Sequence, residues 1–254
     1  MLGDVVMTQL DSRPNQLHRT PETEASWRRL YRAGAVAGFV ATALLIGDIA
    51  LSGVGTVPET ASAWLAQLRS NPWLGLRNLD LLNASLAVVT LPLSLAIYGA
   101  HRRSEPALTA LGVLLGAVGA ALFLGANVAL PMLDVADRCT QDCPAAAEAL
   151  LARGAHGSLG ALPGFLVSEA GSLLLAWTMV RGGVFGRATA WAGLLGTAGL
   201  IAYTVAATAA GGTSGPLLML ALPAGVLALV WQVRTSLRLW ALGRRDTLSH
   251  QGLP

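Results

Sequence analysis

The chain has 254 residues, of which 54% are hydrophobic and only 12% are charged, and its mean hydropathy is +0.57. A soluble domain carries about 25% charged residues, so this composition excludes an ordinary soluble globule. The 17 basic residues are all arginine, and the net charge of +3 is too small for a nucleic-acid-binding surface. The length allows several membrane-spanning helices of about 20 residues and leaves no room for a separate soluble domain.

The sequence divides into two polar tails and a long apolar region. Residues 1–26 mix proline, acidic and amide side chains without apolar periodicity, which predicts a disordered cytoplasmic tail. The first apolar run, residues 33–54, is too long for the core of a secretory signal and predicts a transmembrane helix that stays attached. Five further apolar segments follow, at residues 79–100, 107–130, 158–180, 188–210 and 216–236. The prediction is an all-α polytopic membrane protein, with a six-transmembrane-helix bundle over residues 27–243 and a second cytoplasmic tail at 244–254.

The arginines predict the orientation of this bundle. With the N-terminus inside the cell, thirteen arginines fall in cytoplasmic tails and loops. The four that fall outside are Arg69, Arg77, Arg138 and Arg153. Because positive charge is retained on the cytoplasmic side, both termini of this multi-pass protein are expected in the cytoplasm.

Two connections on the outer side carry helix signals. Thr56 and Glu59 have the spacing of a capping box and predict a short helix after them. In the second connection, Asp142 is placed to cap a helix over residues 144–153, and Gly154 is placed to end it. Both short helices are expected to lie on the outer membrane interface.

Polar side chains inside the predicted spans are the candidate functional residues. Along the second span, residues at steps of three or four share one helix face, and all but one of them are polar: Asp80, Asn83, Ala87, Thr90 and Ser94. At 1.5 Å per residue, Glu169 of the fourth span lies about 16 Å below the outer boundary, near the midplane. Apart from Arg234 at the inner end of the sixth, no predicted span contains an arginine, and an ionised carboxylate at this depth costs several kcal/mol. The predicted ligand-binding residues are Asp48, Asp80, Asn83, Asn127 and Glu169.

This polar set supports two interpretations. In the first, Glu169 is the floor of an outward-facing cavity that binds a small molecule or carries protons, and the other four residues form its wall. In the second, a neutral Glu169 is hydrogen-bonded to a neighbouring helix and only holds the bundle together. The leading prediction is a non-enzymatic binding or transport-like protein. A thiol-redox or lipid-modifying membrane enzyme and a structural membrane subunit are the alternatives.

Motifs of soluble enzymes are not recognisable in the sequence. It contains no HExxH, no GxSxG, no phosphate-binding loop and no dinucleotide fingerprint, so catalytic residues, metal ligands and cofactors are not predicted. The lipid bilayer is the expected partner, nucleic acid is not, and the oligomeric state is left open. His101 stands beside Arg102 and Arg103 and is expected at the inner face near lipid headgroups.

The two cysteines, Cys139 and Cys143, fall in the second outer loop, which faces an oxidising compartment in this topology. They are expected to form a disulfide that clips the loop. A redox-active pair is the alternative, although redox motifs more often have the CxxC spacing.

Two stretches of the sequence carry a family resemblance. NPWLGLRNLDLLN, residues 71–83, leads into the second span, and TMVRGGVFGR, residues 178–187, follows the fourth. Together they resemble an uncharacterised family of bacterial and archaeal six-span membrane proteins, a DUF4386-like domain of unknown function. The likeness covers residues 28–207 and implies a protein of the bacterial plasma membrane. It transfers no catalytic residue.

Overall fold

The computed structural model describes residues 21–51, 57–139, 141–154, 161–210 and 215–244. Within these ranges the chain forms eleven α-helices and no strand, which confirms the predicted all-α class. The helices are α1 (Pro21–Leu51), α2 (Ala61–Ser70), α3 (Pro72–Asn78), α4 (Leu81–Val89), α5 (Leu91–His101), α6 (Pro106–Ala126), α7 (Ala129–Arg138), α8 (Cys143–Gly154), α9 (Ala161–Gly182), α10 (Arg187–Ala209) and α11 (Gly215–Arg244). The first twenty and the last ten residues, which hold most of both predicted tails, lie outside the described ranges.

Helices of the described ranges form a closed ring in chain order. α1 packs on α5, α5 on α6, α6 on α9, α9 on α10 and α10 on α11, and α11 returns to α1. α4 and α5 together make one member of this ring. Pro92 is the second residue of α5, two positions after Thr90, where the proline ring removes one backbone donor and divides the helix.

Five stretches are long and apolar enough to cross a membrane within the residues that the structure describes. They are Glu24–Ala50, Leu81–His101, Pro106–Arg138, Leu162–Gly182 and Arg187–Ala209. The sixth predicted span falls in α11, a helix of 30 residues that is about 45 Å long at 1.5 Å per residue. Five candidate spans are therefore found, and the count of six stays a prediction.

The ring buries small side chains and exposes large apolar ones. Ala35, Ala96 and Ala190 are completely buried, whereas Leu114 is 59% exposed and Ile46 is 53% exposed. Soluble proteins gain stability by withdrawing large apolar side chains from water, so the many large apolar side chains on the outside of the ring are unlike the surface of a soluble protein. It is typical of helices in lipid, where small residues allow close backbone contact and large ones face the acyl chains.

The contact between α6 and α9 shows how close the backbones come. Gly119 of α6 lies against the backbone of Ser168, and Gly171 of α9 lies against the backbone of Gly112 and Gly116. A β-carbon at either contact would overlap main-chain atoms of the other helix, which cannot move away as a flexible side chain can. These glycines therefore fix the position of α9 along the axis of α6.

Four short helices, α2, α3, α7 and α8, pack together at one end of the ring, and we call them the cap. Their shared core contains Trp64 and Leu68 of α2, Leu76 of α3, Met132 of α7 and Ala147 of α8. We call the opposite end of the ring, where α5 and α9 end and α10 begins, the arginine-rich end. It has its own core, to which Leu93, Ile97, Met179, Phe185 and Leu239 belong.

The first cap helix begins at a different residue from the predicted one. Thr60 is its N-cap, and the Thr60 Oγ1 accepts a hydrogen bond from the backbone N–H of Ala63 at 3.2 Å. The predicted capping box of Thr56 and Glu59 is therefore wrong, because a hydroxyl directly before Ala61 satisfies the free N–H groups of the first turn. Thr56 itself lies outside the described residues.

Candidate functional site

Asp48, at the end of α1, is one partner of an ion pair where the ring meets the cap. Nε of Arg77 in α3 donates to Oδ1 of Asp48 at 3.1 Å, and another nitrogen of the same guanidinium donates to the Asp48 carbonyl oxygen. Both side chains are largely buried, with exposures of 18% for Arg77 and 22% for Asp48. Arg77 lies in a predicted loop 29 residues away, so the pattern of the sequence does not reveal it as the partner.

Asp80 and Asn83 lie at the start of α4. The backbone of Asp80 is left-handed, with φ of 60°, and the residue precedes the helix as its N-cap. Its carboxylate accepts a hydrogen bond from Nδ2 of Asn83 at 3.3 Å. The polar face predicted to start at Asp80 therefore starts at Asn83, because the left-handed residue ends the regular helical geometry.

Asn127 divides α6 from α7. Its Nδ2 donates to the carbonyl oxygen of Leu79, and its Oδ1 accepts from the backbone N–H of Ala129, both at 3.0 Å. The prediction of one continuous helix through residues 107–130 is wrong at this point. The side-chain amide of Asn127 replaces backbone hydrogen bonds that are lost where the helix is interrupted. It also connects this interruption to the turn before α4.

Glu169 lies apart from these four residues, in α9. It is about 4.5 Å from the midpoint of the span Leu162–Gly182, at 1.5 Å per residue. It stands two turns before Ala176, which is completely buried, so it shares the face of α9 that packs within the ring. No described residue forms a hydrogen bond or an ion pair with the Glu169 carboxyl group. The nearby hydroxyl of Ser172 donates instead to the carbonyl oxygen of Ser168 on the same helix.

The completely buried large side chains among the described residues form two layers. In the cap they are Leu68 and Met132. In the ring they are Leu93, Ile97, His101, Thr109, Leu175, Thr178, Met179, Phe185, Thr235 and Leu239, all toward the arginine-rich end. Around Glu169 fewer of the described residues are buried: α10 has no buried residue beyond Thr197, and Gly164 is the one buried residue described in α9 before Gly171.

Cys139 follows α7, and Cys143 is the first residue of α8. Their Cα atoms are 5.5 Å apart, which is within the range of a disulfide, and their sulfur atoms are adjacent. Cys143 also packs against the cap core. The described residues include no group of three histidine, cysteine or acidic side chains that could hold a metal ion.

His101 was expected to face lipid headgroups, but its side chain is completely buried within the protein at the arginine-rich end. Its ring stacks on Phe185 with 5.4 Å between the ring centroids, and Nδ1 is 3.1 Å from the carbonyl oxygen of Ile97. Gly182 lies against the other edge of the ring, where Nε2 finds no hydrogen-bond partner among the described residues. The motif at residues 178–187 thus forms the turn that covers His101.

Arginines hold this turn from two sides. Arg238 of α11 donates from Nε to the carbonyl oxygen of Val184 at 3.1 Å. Arg181 forms an ion pair with Glu105, at 3.6 Å. Gly183, with φ of 66°, occupies the left-handed position that the turn requires. These contacts give the motif a structural role at the point where α9 passes into α10.

The apolar outer surface, the small residues at helix contacts and the five candidate spans define an all-helical membrane protein. A family model described as "Domain of unknown function (DUF4386)" matches residues 29–234, and the chain belongs to this family. The resemblance inferred from residues 71–83 and 178–187 is therefore confirmed. Searches among curated proteins and among solved structures found no match to the chain.

Proposed function

We propose that the protein binds a small cation in a cavity of the ring that opens toward the cap, with the carboxylate of Glu169 as its charged ligand. The observation that carries the proposal is that Glu169 has no hydrogen-bonding or charged partner among the described residues, although it lies near the middle of a membrane span. An ionised acid at that depth is stable only when a cation or water compensates its charge. A bound cation fulfils this requirement.

The packing around Glu169 supports the same proposal. Close packing fills the ring at the arginine-rich end, while the described parts of α9 and α10 nearer the cap keep partly exposed side chains. We propose that water or a small ligand enters the ring in this less buried region between the two packed layers. We infer that access is from the cap side.

Asp48, Asp80, Asn83 and Asn127 form the wall of the proposed cavity nearest the cap. Each of these side chains already has a hydrogen bond or ion pair with another residue. They therefore make the wall polar and hold its shape, while the charge that attracts the cation comes from Glu169. The bonds of Asp48 and Asn127 keep the cap attached to the ring, which preserves the entrance.

The proposed topology has six spans, with α11 as the sixth, and both termini in the cytoplasm of a bacterial cell. The supporting observation is the distribution of arginines, since most of them lie at the arginine-rich end and in the tails. The cap then faces the outside. In that oxidising compartment Cys139 and Cys143 form a disulfide that clips α7 to α8.

A carbodiimide labelling experiment tests the proposed site. Dicyclohexylcarbodiimide enters apolar regions and forms a stable adduct with a protonated carboxyl group, which mass spectrometry locates. We expect an adduct on Glu169 of the purified protein, and we expect sodium, potassium or methylammonium ions at constant ionic strength to slow its formation by occupying the site. Glu169→Gln should lose the adduct, whereas Glu148→Gln, a change on the exposed surface of α8, should leave it unaltered. The proposal would be contradicted if Glu169 were not labelled. It would also be contradicted if Glu169 were labelled at the same rate with and without the added cations.

A thiol-redox enzyme is the second candidate, and the adjacent sulfur atoms of Cys139 and Cys143 are the observation that favours it. Such an enzyme cycles between the dithiol and the disulfide. A structural clip stays oxidised, so titration of the pair against a glutathione redox buffer separates the two roles.

A further inference from the structure

Two aromatic residues of α1 lie on a glycine of α5 at the arginine-rich end. Trp27 and Tyr31 are one helical turn apart, and a β-carbon on Gly99 would be 2.9 Å from the Trp27 ring and 3.2 Å from the Tyr31 ring. The absence of a side chain at Gly99 therefore allows both rings to rest directly on α5. This contact gives the two aromatic side chains a fixed position beside the end of α5.

Arg102, the residue after α5, is held on this aromatic pair. Its guanidinium carbon is 3.7 Å from the centroid of the Trp27 ring, which is a close cation–π contact. A guanidinium that stacks by its face keeps the N–H groups at its edge available. No described residue accepts a hydrogen bond from Arg102.

Neither Arg102 nor Arg103 forms an ion pair with an acidic side chain of the described residues. Glu105, the nearest acid along the chain, is paired with Arg181. Arg103 is exposed, and both arginines are close enough to Tyr31 for their positive charges to act on its hydroxyl group. The Tyr31 hydroxyl also has no hydrogen bond to a described residue. Two guanidinium groups and a phenol thus lie close together at this end of the ring.

The position of this cluster indicates which anion fits. Three arginines stack on tryptophans near the arginine-rich end: Arg102 on Trp27, Arg181 on Trp177 and Arg244 on Trp240. Tryptophans mark the boundary between acyl chains and headgroups, so the cluster lies at the level of lipid phosphates. We propose that Tyr31, Arg102 and Arg103 bind the phosphate of an anionic phospholipid. The site is separate from Glu169 and independent of the proposed function.

Lipid titrations of the purified protein in dodecyl maltoside micelles test this site. Native mass spectrometry measures the affinity for phosphatidylglycerol and for phosphatidylcholine of the same acyl chains. We expect tighter binding of phosphatidylglycerol to the wild type, and a loss of about tenfold in that affinity for Arg102→Gln/Arg103→Gln, because two charge-assisted hydrogen bonds are removed. Tyr31→Phe, which keeps the ring on Gly99, should lose about threefold as one neutral hydrogen bond is removed.

The matched control is Arg187→Gln/Arg234→Gln, which removes the same charge from two exposed positions outside the cluster. It should keep the preference for phosphatidylglycerol. Since Arg102 packs on Trp27, the single change Arg103→Gln provides a variant that leaves that contact intact, and it should lose about threefold. Equal affinity for both lipids, or an equal loss in the control, would overturn the site. Displacement of phosphatidylglycerol by equimolar inorganic phosphate would overturn the choice of a lipid as the ligand.

Discussion

Nε of Arg77 lies 3.1 Å from Oδ1 of Asp48, and this ion pair joins the cap to the ring. The same guanidinium also bonds to the backbone of Asp48 and to the side chain of Asn78. Asn127 makes a second connection through the carbonyl oxygen of Leu79. Asp48 and Asn127, which look like free polar groups in the sequence, therefore hold the cap in place. Glu169 is the member of the predicted set that has no such partner among the described residues.

The Asp48–Arg77 pair should contribute measurably to stability. Arg77→Gln leaves a largely buried carboxylate without its cation, and we expect it to lower the free energy of unfolding by about 2 kcal/mol. The matched control is Arg138→Gln, since the Asp134–Arg138 pair is exposed, with side-chain exposures of 60% and 82%. That change should cost less than about 0.5 kcal/mol. Denaturation of both variants in mixed micelles gives the comparison, and equal losses would show that Arg77 has no special role.

Gly119 should tolerate no side chain, whereas Gly116 on the same helix should accept one. Gly119→Ala forces a methyl group against the backbone of Ser168 and should destabilise the protein by about 1–3 kcal/mol. Beyond the adjoining residues of α6 itself, no atom of the described residues lies within 4 Å of the position that a β-carbon on Gly116 would occupy. Gly116→Ala should therefore be neutral or stabilising by up to about 1 kcal/mol, the gain in helix propensity. Thermal unfolding in detergent measures both, and similar midpoints for the two variants would contradict the close contact of α6 with α9.

The cysteine pair should be oxidised in protein isolated without reductant. Alkylation followed by mass spectrometry should find no free thiol at Cys139 or Cys143. Closing so short a loop contributes about 2 kcal/mol, so Cys139→Ser/Cys143→Ser should be less stable by about that amount. Two alkylated cysteines in the unreduced wild type would exclude the clip.

The orientation can be tested with single cysteines in a variant that lacks the native pair. A cysteine at Ser62 in the cap should react with a membrane-impermeant thiol reagent applied to intact cells. Cysteines at Ser104 and Arg187, at the arginine-rich end, should react after the cells are opened. All three positions are exposed, so accessibility within the protein does not bias the result. Labelling of Ser104→Cys in intact cells would reverse the topology.

The apolar runs predict the spans well because lipid imposes one requirement, a helix of sufficient length with few charges. The ion pair of Asp48 with Arg77 and the burial of His101 depend on contacts between distant segments, which no local pattern encodes. Asn127 was predicted inside a helix because the apolar run continues past it. The helix breaks at Asn127 because its side chain donates a hydrogen bond to the carbonyl oxygen of Leu79. That oxygen is 48 residues away in the sequence.

The measurement that tests the cavity most directly is the reactivity of cysteines placed along α9. In the cysteine-free background, Glu169→Cys and Ser172→Cys stand at the height of the proposed cavity, and Ala176→Cys stands in the packed layer below it. The probe is a positively charged methanethiosulfonate, applied from the cap side. We expect the first two cysteines to react and Ala176→Cys to stay protected. A Glu169→Cys variant as unreactive as Ala176→Cys would show that the region is dry, and would contradict a cation site at Glu169.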